Sequence, residues 1–600
     1  MTPHSVISPV KTYSGFIFLL LVLNSGNSPV KAQPVALVPG ITVEQFAPVA
    51  PLCTRMAIDP VSKDLFYLTL YDGIHRIDMQ DPNLKDTIIF TPDDYHIVNL
   101  QGIVFFDRKF YLVGDVPFDT SQSQGLIMRA TLKPNGTYKW DTVAYTELYP
   151  KGNTSFDHGF SGITINPTGD SLFINSGSRT DHGEEQNNGG LYPGAREIPL
   201  TSAIFRIPAS SKNLYLPNDS AALAPYLYVD GTRNSYDLAF GPNGELFATE
   251  NSGERDDPEE LNWIRKGKHY GFPWMAGGDY NPQQFPGYDP LSDPLLMPER
   301  NPAKMIYFYN DPAFPPMPPN LQLQQGIQNL GPDANYYRDS LTSLMMQADE
   351  TGKVLRSFSP HRSPLGLIFD LNHNLGIPYC GDAFMTSYQS QGDSLGVTPN
   401  HAPGCPLDPS EDLVHLELSK NADGSNYTTF ATRIVTGFKH PVDAVIDSNI
   451  IYIIEISSAG NGHLWKITMP ARPPKAIQNE SGCVDLFADP MGGFDEMIAM
   501  LPYNGDKKGI DHASHAQLDA SPSPFNESFD ITLTLNEDAP AELVLCDITG
   551  RVLKQILPGQ NLKAGPTSIH VEAQDIPAGL CLIRGSAAGE PVWFKVMKAK

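Results

Sequence analysis

A strand, turn and strand motif recurs six times along this chain. Each copy has an apolar strand, a polar turn often containing Asp, Asn, Pro or Gly, and a second apolar strand. The copies begin at Met56, Gly102, Gly162, Asp237, Gly366 and Asp443. Most are followed by a further alternating strand, in residues 74–79, 126–132, 203–209, 413–418 and 463–469. Several short strands per repeat, without helical periodicity between them, predict the radial sheets of a six-bladed β-propeller.

The last 80 residues or so return to β character after a polar, proline-rich stretch that lacks the repeat. Apolar residues alternate with polar ones in four segments that are separated by turns, which predicts a small sandwich. The predicted fold class is therefore all-β: a six-bladed β-propeller over residues 33–475, a linker over 476–520 and a small C-terminal β-sandwich over 521–600.

The first 32 residues have the features of a secretory signal peptide. Lys11 precedes an apolar run, residues 15–23, and a small-residue cleavage site ends at Ala32. That run is too short to span a bilayer, and no other stretch is long or apolar enough. We therefore expect a secreted or cell-surface protein that passes through the periplasm.

Charge and cysteine content narrow the class further. The formal net charge of −25 argues against a nucleic-acid partner, because such proteins need a basic surface to displace counterions. The six cysteines include no CxxC or CxxCH motif, which argues against a zinc ribbon and a covalently attached haem. Cys53 and Cys483 flank the repeats and suggest a closing disulfide, although six cysteines allow 15 connectivities.

The stretch from Gly231 to Pro273 concentrates the most chemistry. A hairpin with an Asn-Gly turn is followed by five carboxylates within seven residues, from Glu254 to Glu260. Hard oxygen ligands of this kind suit Ca²⁺, and the alternative is a solvated acidic loop. The later insertion, roughly residues 279–351, is rich in proline and aromatics. It is either a loop that covers a site or an insertion packed outside a blade.

A histidine placed before the third repeat is a candidate base. His158 precedes a predicted inner strand, where propeller loops face the central axis, and an imidazole is a usable base near neutral pH. The alternative role is a capping histidine that hydrogen-bonds a neighbouring loop.

Two ordered motifs resemble the glucose/sorbosone dehydrogenase family, the soluble quinoprotein sugar dehydrogenases. They are RN-x-x-D-L-A-F-x-P-N-G-x-L from Arg233 and E-L-N-x-I-x-x-G-x-x-Y-G-F-P from Glu260, and Asp-His-x-x-Ser-Gly from Asp157 resembles the family's catalytic loop. The resemblance implies a six-bladed propeller that uses pyrroloquinoline quinone and Ca²⁺.

The resemblance also implies roles for individual residues. His158 would be the general base, with Asp157 beside it, and Arg233 would lie against the quinone. Loop carbonyls of Asn251, Ser252 and Gly253 would face cofactor and Ca²⁺. A structural ion would be bound by the side chain of Glu260 and the backbone carbonyl of Tyr270.

The chain departs from the family pattern in several places: one residue is inserted between His158 and Ser161, and Asn251–Gly253 replace a Gly-Pro turn with two extra residues nearby. Two further departures concern the cofactor contacts and the acid that orients the histidine. The family's cofactor-binding Arg-x-Arg is replaced by a segment with Lys439 and His440, which become the candidate cofactor contacts, with Arg362 and Arg179 as further substitutes. Ser178 aligns with the acid that orients the family's histidine, so Asp157 or Asp181 is expected to take that role.

The C-terminal sandwich resembles the sorting domain of type IX secretion substrates. The resemblance rests on Pro524 and Phe525, residues 547–552 and 576–580, Lys595 and Lys598. It implies that the type IX secretion machinery is a partner, and a carbohydrate-binding sandwich is the alternative.

Together these observations predict a secreted quinoprotein oxidoreductase that oxidises a sugar or related aldehyde by hydride transfer. One alternative is a non-catalytic, Ca²⁺-stabilised propeller that binds glycans or protein at the cell surface. Another is a propeller hydrolase of the lactonase kind.

Overall fold

The computed structural model describes residues 33–600, except 153–155, 297–306, 389–407, 409, 459, 473–515, 523–524, 548–551, 575, 577–578, 588–589 and 599–600. The predicted signal peptide and most of the predicted linker lie outside these residues. The chain divides at Arg472 into two compact units. In the described residues, no helix is long and apolar enough to cross a membrane.

In the described residues of the first unit, six sheets have three or more strands and are mainly antiparallel, and we number them in chain order, innermost strand first. Sheet 1 is Cys53–Ile58, Leu65–Thr69, Ile74–Ile77 and Asp86–Phe90; sheet 2 is Asn99–Phe106, Lys109–Pro117, Gln122–Leu132 and Tyr138–Thr146. Sheet 3 is Phe160–Ile165, Ser171–Ser176, Ala203–Pro208 and Leu227–Asp230; sheet 4 is Ser235–Phe240, Leu246–Glu250 and Glu260–Ile264. Sheet 5 is Pro364–Phe369, Ala383–Ser387, Asp412–Lys420 and Tyr427–Thr436; sheet 6 is Pro441–Asp447, Ile450–Glu455, Gly462–Thr468 and Thr42–Val49.

The innermost strands of the six sheets contact one another in a closed cycle, which is the arrangement of a β-propeller. Every predicted motif start lies in one of these innermost strands. The ring closes through the N-terminal strand Thr42–Val49, which pairs with Gly462–Thr468 as the outer strand of sheet 6.

Short strands and helices decorate the sheets. Val35–Ala36 and Gln328–Asn329 join sheet 5, and Tyr149–Pro150 and Leu214–Leu216 join sheet 2. The insertion carries two small hairpins, Met275–Ala276 with Asp279–Tyr280 and Tyr336–Arg338 with Met345–Gln347. Helical turns occupy Pro92–Tyr95, Asn188–Gly190, Ser220–Leu223, Pro282–Gln284, Pro290–Ser292 and Ala348–Thr351.

Each pair of neighbouring sheets encloses a hydrophobic core. Phe66 and Leu68 of sheet 1, for example, pack against Phe110 and Leu112 of sheet 2, and Tyr67 packs on the other face with residues of sheet 6. Full burial of one such side chain contributes about 1.5–3 kcal/mol. Because both faces of each sheet are covered, the strands read as nearly continuous apolar runs.

The suggested disulfide between Cys53 and Cys483 is wrong. Cys53 is a free, buried thiol at the start of sheet 1, and its Sγ donates to the carbonyl of Glu455 at 3.2 Å. Proximity to the ends of the repeats was the only signal for that pairing. Cys380 is disulfide-bonded, and Cys483 lies outside the described residues.

The second unit is a two-sheet sandwich, as predicted. One sheet is Ala516–Ser521, Ser528–Leu535 and Gly565–Glu572, and the other is Val552–Leu562, Ala539–Asp547, Gly579–Ala587 and Glu590–Lys598. Phe529, Ile531 and Leu533 of the first sheet share a core with Leu543, Leu545 and Ile583 of the second.

Candidate functional site

The candidate residues share one end of the ring because the sheets are antiparallel. The chain enters each innermost strand at the same end at which it leaves the second strand. His158, Arg233 and Lys439 stand just before innermost strands, and Asn251–Gly253 follow a second strand. The fold therefore brings these loops to the same face of the propeller.

His158 is tied to the loop that follows the second strand of sheet 3. Its backbone N–H donates to the carbonyl of Ser178 at 3.0 Å, and its ring Nδ1 lies 3.2 Å from that same oxygen. A carbonyl oxygen only accepts, so this contact places the hydrogen on Nδ1. Burial, together with the charge of Arg233, lowers the pKa of His158 to about 3. The half-buried ring is therefore neutral at physiological pH.

Neither expected acid orients His158. The carboxylate of Asp157 accepts the Gly152 amide at 2.8 Å, within its own loop, and burial raises its pKa. The carboxylate of Asp181 bonds to Arg233 instead. The backbone carbonyl of Ser178 therefore takes the place of a side-chain acid, a substitution that residue types alone do not reveal.

Arg233 is held in a fixed fork. Its Nε donates to the carbonyl of Asp181 at 2.7 Å, its Nη2 to the Asp181 carboxylate at 2.7 Å, and its Nη1 to the carbonyl of Asn251 at 3.2 Å. The backbone of Arg233 continues the link, because its carbonyl accepts the Ser178 amide at 2.6 Å. One chain of hydrogen bonds thus joins His158, Ser178, Arg233 and Asn251.

A pocket opens beside Arg233 between the loops of sheets 3 and 4 and the insertion. Its cavity volume is about 20 Å³, which has room for about one water molecule. Its lining consists of Asp181, His182, Arg233, Gly253, Arg255, Asp257, Phe272, Pro273, Ala276, Asn281 and Phe308. The described part of the insertion contributes Asn281 and Phe308 to this lining. That the insertion covers a functional site stays a prediction.

Gly253 is required where the loop passes Asp181. A Cβ at this position would lie 3.1 Å from the carbonyl and from both carboxylate oxygens of Asp181. Ser252, the preceding residue, directs its Oγ toward Glu259 at 3.4 Å. The backbone of this loop, and not its side chains, therefore faces the Arg233 cluster.

The predicted ion ligand Glu260 lies in a buried, oxygen-rich environment. It pairs across the strands with Glu250, and Oε2 accepts the Asn262 amide at 2.9 Å. Within the described residues, Oε1 of Glu260 and Oδ1 of Asn262 make no hydrogen bond of normal geometry. Burial and the Glu250 charge raise the pKa of Glu260 to about 8, although the amides of Gly277 and Gly278 partly oppose this.

Two buried oxygens in this set, Oε1 of Glu260 and Oδ1 of Asn262, have no hydrogen-bond donor at normal geometry among the described residues, and oxygens of this kind are ligands for a hard cation. The other predicted ligand is the backbone carbonyl of Tyr270. The hydroxyl of Tyr270 donates to the Trp263 carbonyl at 2.5 Å, and its backbone amide donates to the carbonyl of Asp230. The described part of the chain contains no group of three or more His, Cys, Asp or Glu side chains arranged for a metal. A cation here would therefore depend on amide or carbonyl oxygens as well.

Lys439 and His440 provide less positive charge than the family pattern. Lys439 is exposed, and its backbone amide bonds the carboxylate of Glu455. His440 stacks on Tyr388 with 4.9 Å between ring centroids, and its Nδ1 lies 3.4 Å from Glu411. Two carboxylates, those of Glu411 and Glu455, thus lie beside the segment that replaces the family's Arg-x-Arg.

The two arginines considered as substitutes are not available. Arg362 is fully buried and bonds Asp408 and Asp412, and Arg179 is fully buried and donates to the carbonyls of Arg196 and Gln186. Both therefore stabilise loops. Their burial could not be read from the sequence, because their partners come from separate loops.

Comparisons with known proteins place this site in a family context. Residues 107–320 match the family model described as Glucose / Sorbosone dehydrogenase. A 65-residue segment is 40% identical to quinoprotein glucose dehydrogenase B of Acinetobacter calcoaceticus, covering 10% of this chain and 13% of that protein. The family match includes His158, Arg233, Gly253 and Glu260 but ends before Lys439.

Solved structures with similar folds include two sugar dehydrogenases. The apo form of a soluble aldose sugar dehydrogenase from Escherichia coli has 14% identity and a TM-score of 0.44, and the match covers 72% of this chain and 99% of that one. The holo form of a pyranose dehydrogenase PQQ domain from Coprinopsis cinerea has 13% identity and a TM-score of 0.44, with 73% and 97% covered. Likeness at these values carries no information on function.

Proposed function

We propose that this protein is a quinoprotein oxidoreductase that oxidises a sugar or related aldehyde, with pyrroloquinoline quinone and Ca²⁺ as cofactors. The observation that carries the proposal is the hydrogen-bonded chain from His158 through Ser178 to Arg233, beside a pocket. The family match over residues 107–320 supports it.

His158 would accept the hydroxyl proton of the substrate. With hydrogen on Nδ1, the neutral ring carries its lone pair on Nε2. Because the pKa of His158 is low, proton transfer is favourable only as hydride leaves the same carbon and the hydroxyl becomes strongly acidic. Ser178 would fix the tautomer and the ring orientation through its carbonyl.

Several residues present fit the quinone in part. Arg233 still has guanidinium hydrogens beyond its three bonds, and Lys439 is an exposed cation. When bound, the quinone would supply the two-electron acceptor. Glu260 would hold a Ca²⁺ ion through its unbonded oxygen. Electrons would then leave to an external acceptor.

The second candidate function is a non-catalytic, Ca²⁺-stabilised propeller that binds glycans or protein at the cell surface. The observation that favours it is the pair Glu411 and Glu455 beside His440 and Lys439. A tricarboxylate cofactor would meet these carboxylates at close range, which opposes its binding.

We also propose that the protein is exported, with residues 1–32 as signal peptide and the C-terminal sandwich as a type IX sorting domain. The support is the sequence pattern of these two segments. A fusion of residues 516–600 to a secreted reporter tests this: surface delivery must depend on a working type IX system, and delivery without one overturns it.

Reconstitution separates the two functions. The purified chain is mixed with pyrroloquinoline quinone and Ca²⁺, and quinone absorbance and dye reduction are followed with a panel of aldoses. We expect saturable quinone binding and turnover with at least one aldose. No binding at micromolar quinone would overturn the oxidoreductase and leave the binding propeller.

His158→Ala then tests the assigned base. We expect turnover to fall about 10²–10⁴-fold, the usual contribution of a general base, with quinone binding retained. His570→Ala, an exposed histidine in the second unit, is the matched control and should keep full turnover. Full activity in His158→Ala would remove His158 from this role.

A further inference from the structure

His182, a pocket residue outside the proposed chemistry, is surrounded by hydrogen-bond acceptors. Its Nδ1 lies 3.2 Å from the carboxylate of Asp181 and 3.2 Å from that of Glu184. Its Nε2 lies 3.0 Å from the carbonyl of Tyr307. Both ring nitrogens must donate to satisfy these contacts, and only the imidazolium has two donors.

The ring of His182 also stacks on the insertion. Its centroid lies 3.7 Å from that of Phe308 with an interplanar angle of 9°. A cation on the face of an aromatic ring is attracted by the ring's quadrupole, and more strongly in a desolvated place. The side chain of His182 is only 9% exposed, so this contact is largely shielded from water.

The contacts of His182 connect the insertion to Arg233. Asp181 lies between two cations, with one carboxylate oxygen 3.2 Å from His182 and the other 2.7 Å from Arg233. Phe308, His182 and Arg233 all line the same pocket. Movement of Tyr307 and Phe308 away from His182 would therefore uncover the pocket beside Arg233.

We propose that His182 is a protonation-dependent latch: as an imidazolium it holds the Tyr307–Phe308 segment over the pocket, and on losing its proton it releases that segment. The neutral ring can donate from one nitrogen only. The other nitrogen then directs a lone pair at an acceptor, either the Tyr307 carbonyl or the two carboxylates. The proposal does not require that the quinone binds.

The direction of the pH dependence follows from the groups around the ring. Burial lowers the pKa of His182, but the carboxylates of Glu184 and Asp181 and the Tyr307 carbonyl outweigh burial and raise it. The charged groups nearby are Arg233 on Asp181, Arg196, which bonds Gly183 and Asp311, and the Arg255–Asp257 pair. Because the pKa of His182 is raised, the latch is closed below the ordinary histidine pKa of about 6.5 and opens as pH rises through the higher pKa of the folded protein.

Hydrogen exchange of the full-length chain tests the latch without any turnover. Amides of residues 307–314 are compared at pH 6 and pH 8.5 by mass spectrometry, after correction for the intrinsic exchange rates. We expect about a tenfold loss of protection in this segment at the higher pH. His182→Gln, which keeps one donor but no charge, should be poorly protected at both values.

The control is His415→Gln. His415 is also a buried histidine paired with a carboxylate, Asp382 at 2.8 Å, but it does not line the pocket. His415→Gln should leave the hydrogen exchange of residues 307–314 the same as in the wild type. Should His182→Gln fail to fold, Phe308→Leu keeps the histidine and removes the stacking partner, and should lower protection at pH 6.

Two results would overturn the proposal. One is protection of residues 307–314 that does not change with pH in the wild type. The other is a His182→Gln protein, or a Phe308→Leu protein where that is used, with the wild-type pH dependence. If turnover is found, a limb of the kcat/KM pH profile that disappears in His182→Gln would support the latch, and a retained limb would contradict it.

Discussion

The guanidinium of Arg55 lies over the aromatic ring of Tyr236, 3.5 Å from its centroid. The two residues belong to sheets 1 and 4, which lie on opposite sides of the propeller. Arg55 Nε donates to the Gln101 carbonyl of sheet 2 at 3.1 Å, and Nη2 donates to the Tyr236 carbonyl. Nη1 lies 3.6 Å from Asp237. One side chain thus joins three sheets across the central axis.

Arg55→Met is expected to destabilise the propeller strongly. It leaves the carboxylate of Asp237, which is 18% exposed, without its cation, and breaking a largely buried ion pair typically costs about 3–5 kcal/mol. The measurement is the urea midpoint of unfolding. Arg206→Met is the matched control, because Arg206 is exposed and lies 5.8 Å from the ring of Phe173, and it should cost about 1 kcal/mol or less. Equal losses in the two variants would contradict the role of Arg55.

Asp115 should make stability depend on pH. It accepts the Tyr149 hydroxyl at 2.8 Å and the Phe160 amide at 2.9 Å, and burial raises its pKa to about 7. The unfolded value is about 3.9, so the folded state binds more protons between these values and loses stability as pH rises from about 4 to about 7. Asp115→Asn removes this titration. The free energy of unfolding, measured with urea, should fall less between pH 5 and pH 8 in the variant than in the wild type. An equal fall in both proteins would exclude Asp115 as its source.

Gly253→Ala should weaken quinone binding or turnover without destabilising the fold. The added Cβ would lie 3.1 Å from three oxygens of Asp181, which displaces the partner of Arg233. We expect a loss of quinone affinity or turnover of about tenfold or more, in line with the cost of misplacing a positioned group, and a melting temperature close to that of the wild type. Gly559→Ala, at an open position in the second unit, should behave as the wild type; normal affinity and turnover in Gly253→Ala would show that the loop accommodates a side chain.

Removal of Ca²⁺ should act through Glu260. A ligand at 100 times its Kd stabilises the folded state by about 2.7 kcal/mol, so a chelator should lower the melting temperature of the wild type. Glu260→Gln should melt at the same temperature with and without the chelator. Glu44→Gln, an exposed carboxylate on the outer strand of sheet 6, should respond as the wild type does. A chelator response that persists in Glu260→Gln would place the ion elsewhere.

The repeat predicted the innermost strands because its signal is local. Alternating apolar residues and turn chemistry lie within about 15 residues of one another, and the hairpin of Ser235–Phe240 with Leu246–Glu250 was readable for that reason. The outer strand of sheet 6 was not readable. It comes from residues near the start of the chain, and no local pattern in Thr42–Val49 indicates that it pairs with Gly462–Thr468.

The contacts that define the site were hidden for the same reason. Arg233 was identified, but its partner Asp181 lies 52 positions away, and His182 meets Tyr307 across 125 positions. Residue types gave the candidates, whereas the fold decided which of them pair. Arg362 illustrates the error this causes, because a cation without visible partners in the sequence proved to be buried between two carboxylates.

The clasp between Thr42–Val49 and Gly462–Thr468 also sets the order of events during synthesis. Glu44 and Lys466, which form an ion pair across the clasp, are 422 positions apart. The strand Thr42–Val49 therefore lacks its partner until nearly the whole propeller has left the ribosome. The propeller therefore cannot close until its last sheet has been synthesised. Until then a growing chain exposes an unpaired strand edge.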